Sequence, residues 1–261
     1  MNLDDVVITR AIVESFSKKF LEYSELDVAI AGAGPAGLCA AYCLARQKVK
    51  VAVFERKLSI GGGMWGGGMM FNELVVGQEG KGILDEIEVS YRTYQEGYYT
   101  ADAVECISTL CSKATKAGVK VFNLISVEDV MLEGEKVCGL VLNWSAVEMA
   151  SLHVDPLTIR AKYLVEATGH PAELIKIIVK KIGPKLLTPT GDIVGEKPMW
   201  ADMGEKEVVE NTKEAFPNVY VTGMAANAVF GAHRMGPIFG GMLLSGKRAA
   251  SEILKKLKTQ E

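Results

Sequence analysis

The stretch Asp27-Val-Ala-Ile-Ala31, Gly32-Ala-Gly34-Pro-Ala-Gly37, followed by Leu38 to Gln47 and Val49 to Glu55, decides the fold. Its order is apolar strand, glycine turn, helix-like run, second apolar strand and terminal acid. This is G-x-G-x-x-G in the setting that gives it meaning, with an acid about twenty residues beyond the turn. Gly32, Gly34 and Gly37 permit a sharp turn and a close approach of backbone to a pyrophosphate, whose charge rests on free helix N–H groups. Glu55 is placed to take the ribose hydroxyls. A tight strand-to-helix packing turn is the plainer explanation, but it leaves Glu55 without a purpose. Arg56 beside it leaves an opening for a 2′-phosphate.

Directly after the acid comes Gly61-Gly-Gly-Met-Trp-Gly-Gly-Gly68. A loose surface loop is one account of such a run. Met64, Trp65, Met69, Met70 and Phe71 argue instead for a packed loop whose backbone lies close to a ligand.

Working outward, the first 25 residues set Ile8, Ala11, Ile12, Phe16, Phe20 and Leu21 against Arg10, Glu14, Lys18 and Lys19, an amphipathic helix pattern. They lack the continuous apolar run of a signal peptide, and no stretch approaches membrane-spanning length, so a cytoplasmic location is expected. Ala101 to Ala117 has helical spacing. Val119 to Val130 and Val137 to Trp144 are β-rich and joined by Glu133-Gly-Glu-Lys136, a hairpin signal. Leu157 to Ala167 and Asn218 to Gly223 read as strands ending in Thr-Gly segments, with helices at Ala172 to Lys181 and Gly236 to Lys258. Leu84 to Tyr99 has no clear period.

That order resembles the two-dinucleotide-binding flavoprotein fold of the glutathione-reductase type. The expected fold is α/β, a parallel sheet with a β-meander crossover, over residues 1–261 as a single dinucleotide-binding domain with an N-terminal helix. In such sheets ligands gather at the carboxyl ends of the parallel strands, where Gly32–Gly37, Glu55, Gly169 and Gly223 fall. Flavoproteins of this type carry a late Gly-Asp that holds the flavin; here the place reads Gly223-Met224-Ala225, without the acid. No second G-x-G-x-x-G seats a separate nicotinamide cofactor. A smaller ADP-containing molecule therefore suits the slot better than a flavin.

Composition excludes little but excludes it firmly. Net charge is −3, 49% of residues are hydrophobic, and no basic stripe points to nucleic acid. The five cysteines, Cys39, Cys43, Cys106, Cys111 and Cys138, form no C-x-x-C and no zinc spacing. Cys39 and Cys43 read as core thiols on the first dinucleotide-fold helix.

The three histidines each sit in a site-like segment: Ser151-Leu-His153-Val-Asp155-Pro156, Ala167-Thr-Gly-His170-Pro171, and His233-Arg234-Met-Gly-Pro237. Asp155 and His170 would suit Fe(II) if the strand between them returns the chain to the same pocket. A turn at Asp155-Pro156 and a capped strand end at His170-Pro171 account for the same residues without a metal. Pro237 suits the first turn of the last helix, and Arg234 can hold a carboxylate in a bidentate fork, although a surface ion pair is as common a fate.

Together the Gly-Pro-Ala-Gly turn with Glu55-Arg56, the glycine block, the Asp155-Pro156 segment, Ala-Thr-Gly-His170 and Arg234-Met-Gly-Pro resemble the thiamine thiazole synthase family across nearly the whole chain. The resemblance implies a transferase that consumes NAD, condenses its ADP-ribose part with glycine and closes a thiazole ring with one sulfur atom. It implies nucleotide contacts from Ala36, Glu55, Arg56, Gly63 and backbone near Val127, and from His153, Val154 and Asp155, those three from the same or a neighbouring subunit. It places Met224 in the pocket, Arg234 on the carboxylate of glycine, Fe(II) on Asp155 and His170, and the chains in an octamer. Eukaryotic members sacrifice the sulfur of a cysteine just before Asp-Pro; here that position is His153, so the resemblance to sulfide-using archaeal members implies free sulfide and repeated turnover. His153 would act in proton transfer. A flavin-dependent oxidoreductase of the same fold and a non-catalytic NAD or ADP-ribose-binding protein are the rival readings.

Overall fold

The computed structural model describes residues 2–259. Helix α1 (Asp5–Glu22) precedes β1 (Glu25–Ala31), α2 (Pro35–Arg46) and β2 (Val51–Glu55). A 3₁₀ turn (Gly62–Gly66) leads into β3 (Glu73–Val76), α3 (Gln78–Ile87), β4 (Arg92–Gln95), β5 (Tyr98–Asp102) and α4 (Ala103–Lys116). Next come β6 (Lys120–Asn123), β7 (Ile125–Glu133), β8 (Lys136–Trp144), α5 (Ser145–Met149), β9 (Leu157–Glu166) and α6 (Glu173–Ile182). The remainder holds β10 (Lys197–Met199), α7 (Ala201–Glu210), β11 (Glu214–Phe216), β12 (Val219–Val221), α8 (Met224–Phe230), β13 (His233–Arg234) and α9 (Gly240–Lys258).

The central sheet runs β11-β12-β9-β1-β2-β6, and its pairs from β12 to β6 are parallel. The β7–β8 hairpin joins it antiparallel through the first half of β9, which is the expected meander crossover. Register brings Ala31 beside Phe54 and Glu166, Glu55 beside Asn123, and Glu166 beside Val221. The carboxyl ends of five parallel strands thus form one rim.

Alternation along β1 divides the core. Val28 and Ile30 face α2, α4 and α9, whereas Ala29 and Ala31 face the meander, α6 and α8. Each fully buried aliphatic side chain of this kind contributes about 1.5–3 kcal/mol. Phe16 and Phe20 of α1 dock on Phe122 on the second side. The rest of the apolar stripe on that helix, Ile8, Ile12 and Leu21, stays exposed. Among the described residues no helix is long and apolar enough to cross a membrane.

Several expectations shift. Helix α2 starts at Pro35, three residues before Leu38, because proline at the first helical position is already set for the helix and lacks only an N–H that would be orphaned. Val119 to Val130 is two strands: Leu124 takes a left-handed conformation, φ 58°, and turns the chain from the parallel sheet into the meander. The unassigned stretch is the end of α3 followed by the β4–β5 hairpin, which with β3 forms a separate three-stranded sheet. Pro237 is not in the last helix, which begins at Gly240; the proline ends on the site instead. Cys39 is a core thiol, but Cys43 is only half-buried.

Two close approaches lock the dinucleotide turn. Gly32, at φ +100°, has its Cα against the Ala167 carbonyl, so a side chain there meets backbone. A methyl on Gly37 would strike the Gly32 carbonyl and the Ala167 Cβ. Replacing Gly37 by Ala is therefore expected to lower the urea-unfolding free energy by about 1–3 kcal/mol through overpacking. Gly82→Ala, in open space on α3, is the control and should be neutral or slightly stabilising. Equal midpoints for both variants would contradict the packing argument.

Candidate active site

A cavity of about 760 Å³ opens at the carboxyl rim of the parallel strands. Four turns wall it: Gly32–Ala36, Ala167–His170, Thr222–Met224 and Arg234–Phe239. Sequence-predicted residues Gly32, Gly34, Ala36, Glu55, Arg56, Gly63, Val127, His170, Met224 and Arg234 all line it. Gly37 does not, because it serves helix–strand packing one turn behind.

The nucleotide-like end is built from backbone. Both oxygens of the Glu55 carboxylate accept N–H bonds at 2.9 Å, one from Ala33 and one from Lys57. These bonds fix the carboxylate at the end of β2 and leave further lone pairs for hydroxyl donors. Arg56 reaches across to Glu173, at the start of α6, in a 2.6 Å ion pair. Its guanidinium is therefore committed to a neighbour.

The glycine block behaves in two parts, which corrects the packed-loop expectation. Met64 is fully buried and Trp65 Nε1–H donates to the Ile60 carbonyl at 2.6 Å. Gly62 lies over Gly34 and Pro35, so this half roofs the turn. Met69, Met70 and Phe71 protrude instead, because Gly68 N–H bonds the Glu73 carbonyl and Asn72 N–H bonds the Gly66 carbonyl, extruding the residues between. Met69 and Met70 have positive φ as a result. Met69 still reaches the cavity mouth.

The His170 turn rests on a buried acid. Glu166 is wholly inaccessible, and its carboxylate accepts N–H bonds from Thr168, Leu174 and Ile175. Thr168 Oγ1 accepts from Glu173 N–H at 2.9 Å. Side chains at the strand end thus cap α6, whose own preceding residue, Ala172, is left-handed and cannot. Burial pushes the Glu166 carboxyl up from the ordinary 4.5 to about 7 despite those donors. His170 itself is turned outward, and Nδ1 meets both oxygens of Glu196, at 2.7 and 2.9 Å.

Buried polar side chains hold the opposite wall. Ser245 Oγ accepts Gly223 N–H at 2.8 Å and contacts the hydroxyls of Thr212 and Thr222. Asn227 Nδ2 donates to the carbonyls of Gly204 and His233, while His233 N–H and Nδ1 both meet Glu207. His233 is thereby structural, bracing the strand that presents Arg234. Among the described residues no carboxylate pairs with the Arg234 guanidinium, so the surface ion-pair account of it does not hold.

His153, Val154 and Asp155 lie in an exposed loop outside the cavity. The Val154 carbonyl accepts from Asn143 Nδ2 at 3.1 Å, tying the loop to the end of β8. The strand between Asp155 and His170 does not return the chain to one pocket. It is the ten-residue β9, so the two side chains lie beyond opposite ends of an element roughly 30 Å long. Among the described residues no group of three or more His, Cys, Asp and Glu side chains is placed to hold a metal ion.

Glu166, Glu173, Glu196, Asn227 and Ser245 escaped the sequence reading. Glu166 and Ser245 carry a weak signal, a polar residue inside an apolar run; the others carry none.

Comparison with known proteins agrees with this geometry. A profile of the Thi4 family matches residues 9–239. A thiamine thiazole synthase of Methanothermobacter thermautotrophicus is 62% identical over 258 residues, covering 99% of this chain and 100% of that protein. One from Pyrococcus furiosus is 58% identical, covering 98% and 99%. The crystal structure of Thermovibrio ammonificans THI4 superposes with a TM-score of 0.95 at 55% identity, covering 99% and 100%. A geranylgeranyl bacteriochlorophyll reductase-like protein of Thermoplasma acidophilum, with a TM-score of 0.57 at 15% identity, shares the fold alone.

The Glu166 shift fixes a sign for stability. Its folded pKa lies above its unfolded value, so the folded protein retains a proton that the unfolded chain releases. Its contribution is intact below about 4.5 and is lost as pH rises to about 7. Between about pH 5 and about pH 8 the wild-type unfolding free energy should fall more than that of Glu166→Gln, by on the order of 2 kcal/mol. Parallel pH profiles from urea titrations would rule this out.

Proposed function

The chain belongs to the Thi4 family, and from that membership we propose that it makes an adenylated thiazole carboxylate from NAD, glycine and free sulfide, with Fe(II), over many turnovers. It is an enzyme of thiamine biosynthesis, like its thiamine thiazole synthase relatives. The finer reading is carried by one observation above all, the position of sulfur. No cysteine among the described residues lines the cavity, and none lies in the loop from Ser151 to Pro156. Burial pushes the Cys106 thiol up to about 12 and Cys111 to about 11, which leaves both weak nucleophiles. With His153 before Asp155 and no cysteine thiol at the cavity, the sulfur atom is supplied from solution in this reading.

Iron is the metal we propose, with His170 and Asp155 as its ligands. His170 lines the cavity with one ring nitrogen occupied by a carboxylate and the other uncommitted, a donor that with Asp155 suits Fe(II). When bound, Fe(II) supplies a Lewis-acidic centre that gathers substrate and hydrosulfide. Because β9 keeps Asp155 away from His170 in one chain, the pair forms between two copies, His170 from one and the loop of His153, Val154 and Asp155 from another. Exposed Met149, Leu152 and Val154 on that loop, and Met69, Met70 and Phe71 at the cavity mouth, are apolar surfaces suited to such a contact. A closed homo-octamer is the assembly proposed, as the family resemblance implies.

The chain's own groups then have separate tasks. The N–H groups at the start of α2 receive the pyrophosphate, and Glu55 takes the ribose hydroxyls. Arg234, free of any carboxylate partner, holds that of glycine, and the buried Ser245 and Asn227 networks keep its wall in place. Held in this way, the amine of glycine and the opened sugar react as if within one molecule. His153, supplied by the neighbouring copy, moves protons during enolisation and dehydration, a task for which an imidazole can both give and accept a proton.

Incubation without oxygen with NAD, glycine, Fe(II) and sulfide should give an adenylated thiazole, identified by mass, in clear excess over enzyme. Product limited to less than one per subunit at any sulfide level would overturn the multiple-turnover reading, and a yellow, flavin-loaded preparation would favour an oxidoreductase. Asp155→Ala and His170→Ala should each be inactive alone. Co-assembled in equal amounts they should recover about a quarter of wild-type activity, because one site in four then draws both intact residues from different chains. No recovery in verified mixed oligomers would exclude a site shared between copies.

A further inference from the structure

We infer that Glu196 sets the tautomer of His170, so that Nε2 is the nitrogen offered to the metal. This rests on the reading of His170 as a metal ligand. An ionised carboxylate only accepts hydrogen bonds, and both of its oxygens lie within 2.9 Å of Nδ1. In a neutral imidazole Nδ1 therefore carries the proton, and the lone pair is left on Nε2. Glu196 is the ring's hydrogen-bond partner among the described residues, and it is the more buried of the two, with its side chain 21% exposed against 45% for His170.

Glu196 is also preset by its backbone. Val194 N–H bonds the Val229 carbonyl, Gly195 N–H bonds Ala228 at 2.9 Å, and Lys197 N–H bonds Ala232 at 2.8 Å. Three backbone bonds to the end of α8 and the turn after it thus bracket the acid, and β10 continues that attachment by pairing with β13. The carboxylate is held by the segment attached to α8 against a ring held by the turn after β9. Glu196 is a positioning residue, since it acts through the imidazole and touches no reacting atom. It fixes the orientation of the ring, the usual service of a carboxylate behind a ligating histidine.

Two measurements on the full-length assembled protein test this. With three histidines in the chain, imidazole ¹⁵N shifts at alkaline pH can be assigned by substituting each in turn. Wild type should show His170 protonated at Nδ1, and Glu196→Ala should move that proton to Nε2. Titration with Co(II), an oxygen-stable probe for Fe(II), should show affinity lowered about 10–100-fold in Glu196→Ala. Glu196→Gln, whose amide oxygen accepts the same proton, should lose less. If His170→Ala abolishes Co(II) binding while Glu196→Ala leaves both affinity and ¹⁵N shifts unchanged, Glu196 has no such role and the metal reading stands. If wild-type protein binds no Co(II), the metal reading falls and takes this proposal with it.

Discussion

The backbone contact between the dinucleotide turn and the end of β9 governs the rest of the molecule. Gly32 sits against the Ala167 carbonyl, Gly37 sits under both, and Ala167 N–H completes the joint by bonding Ala31 at 2.8 Å. Two glycines without Cβ atoms allow β1 and β9 to release their chains side by side at the same level. One chain enters α2 and its free N–H groups; the other enters the turn that ends in His170. The nucleotide cradle and the candidate metal ligand are consequently two sides of one packing contact. Glu166 secures the second side from beneath by capping α6, at the cost of keeping a carboxyl in the core.

Strand β9 then imposes a constraint of its own. Its first half pairs with β8 in the meander and its second half with β1 and β12 in the parallel sheet. A strand that joins the meander to the parallel strands of one sheet has to be long, and its length separates the residues before it from those after it. The loop that holds His153 and Asp155 therefore faces away from the cavity of its own chain. Its apolar tip and the protruding Met69–Phe71 segment are exposed features that solvent does little to reward. A site shared between copies turns both into contact surface.

Sequence pattern disclosed the parts whose chemistry is local. The glycine turn, Glu55, the hairpin and the long last helix follow from period, punctuation and strand-end position, and they were legible residue by residue. Boundaries slipped where one conformational event outweighed the pattern, as at Leu124, whose left-handed turn splits an unbroken β-rich run. The glycine block misled because hydrophobic character does not distinguish Met64, folded inward, from Met70, extruded by the bonds around it. Glu196 and Glu173 were invisible for another reason. Each meets a partner distant in sequence, and an isolated acid on a chain rich in acids carries no mark of that meeting.

The two arginines on the cavity show how partners, more than residue type, divide the work. Arg56 and Arg234 both line the space, and both match the chemistry of a phosphate or a carboxylate. Arg56 is held by Glu173, so the corner beside Glu55 presents two carboxylates against one neutralised guanidinium. Arg234, with no such partner, keeps its fork available at the other end.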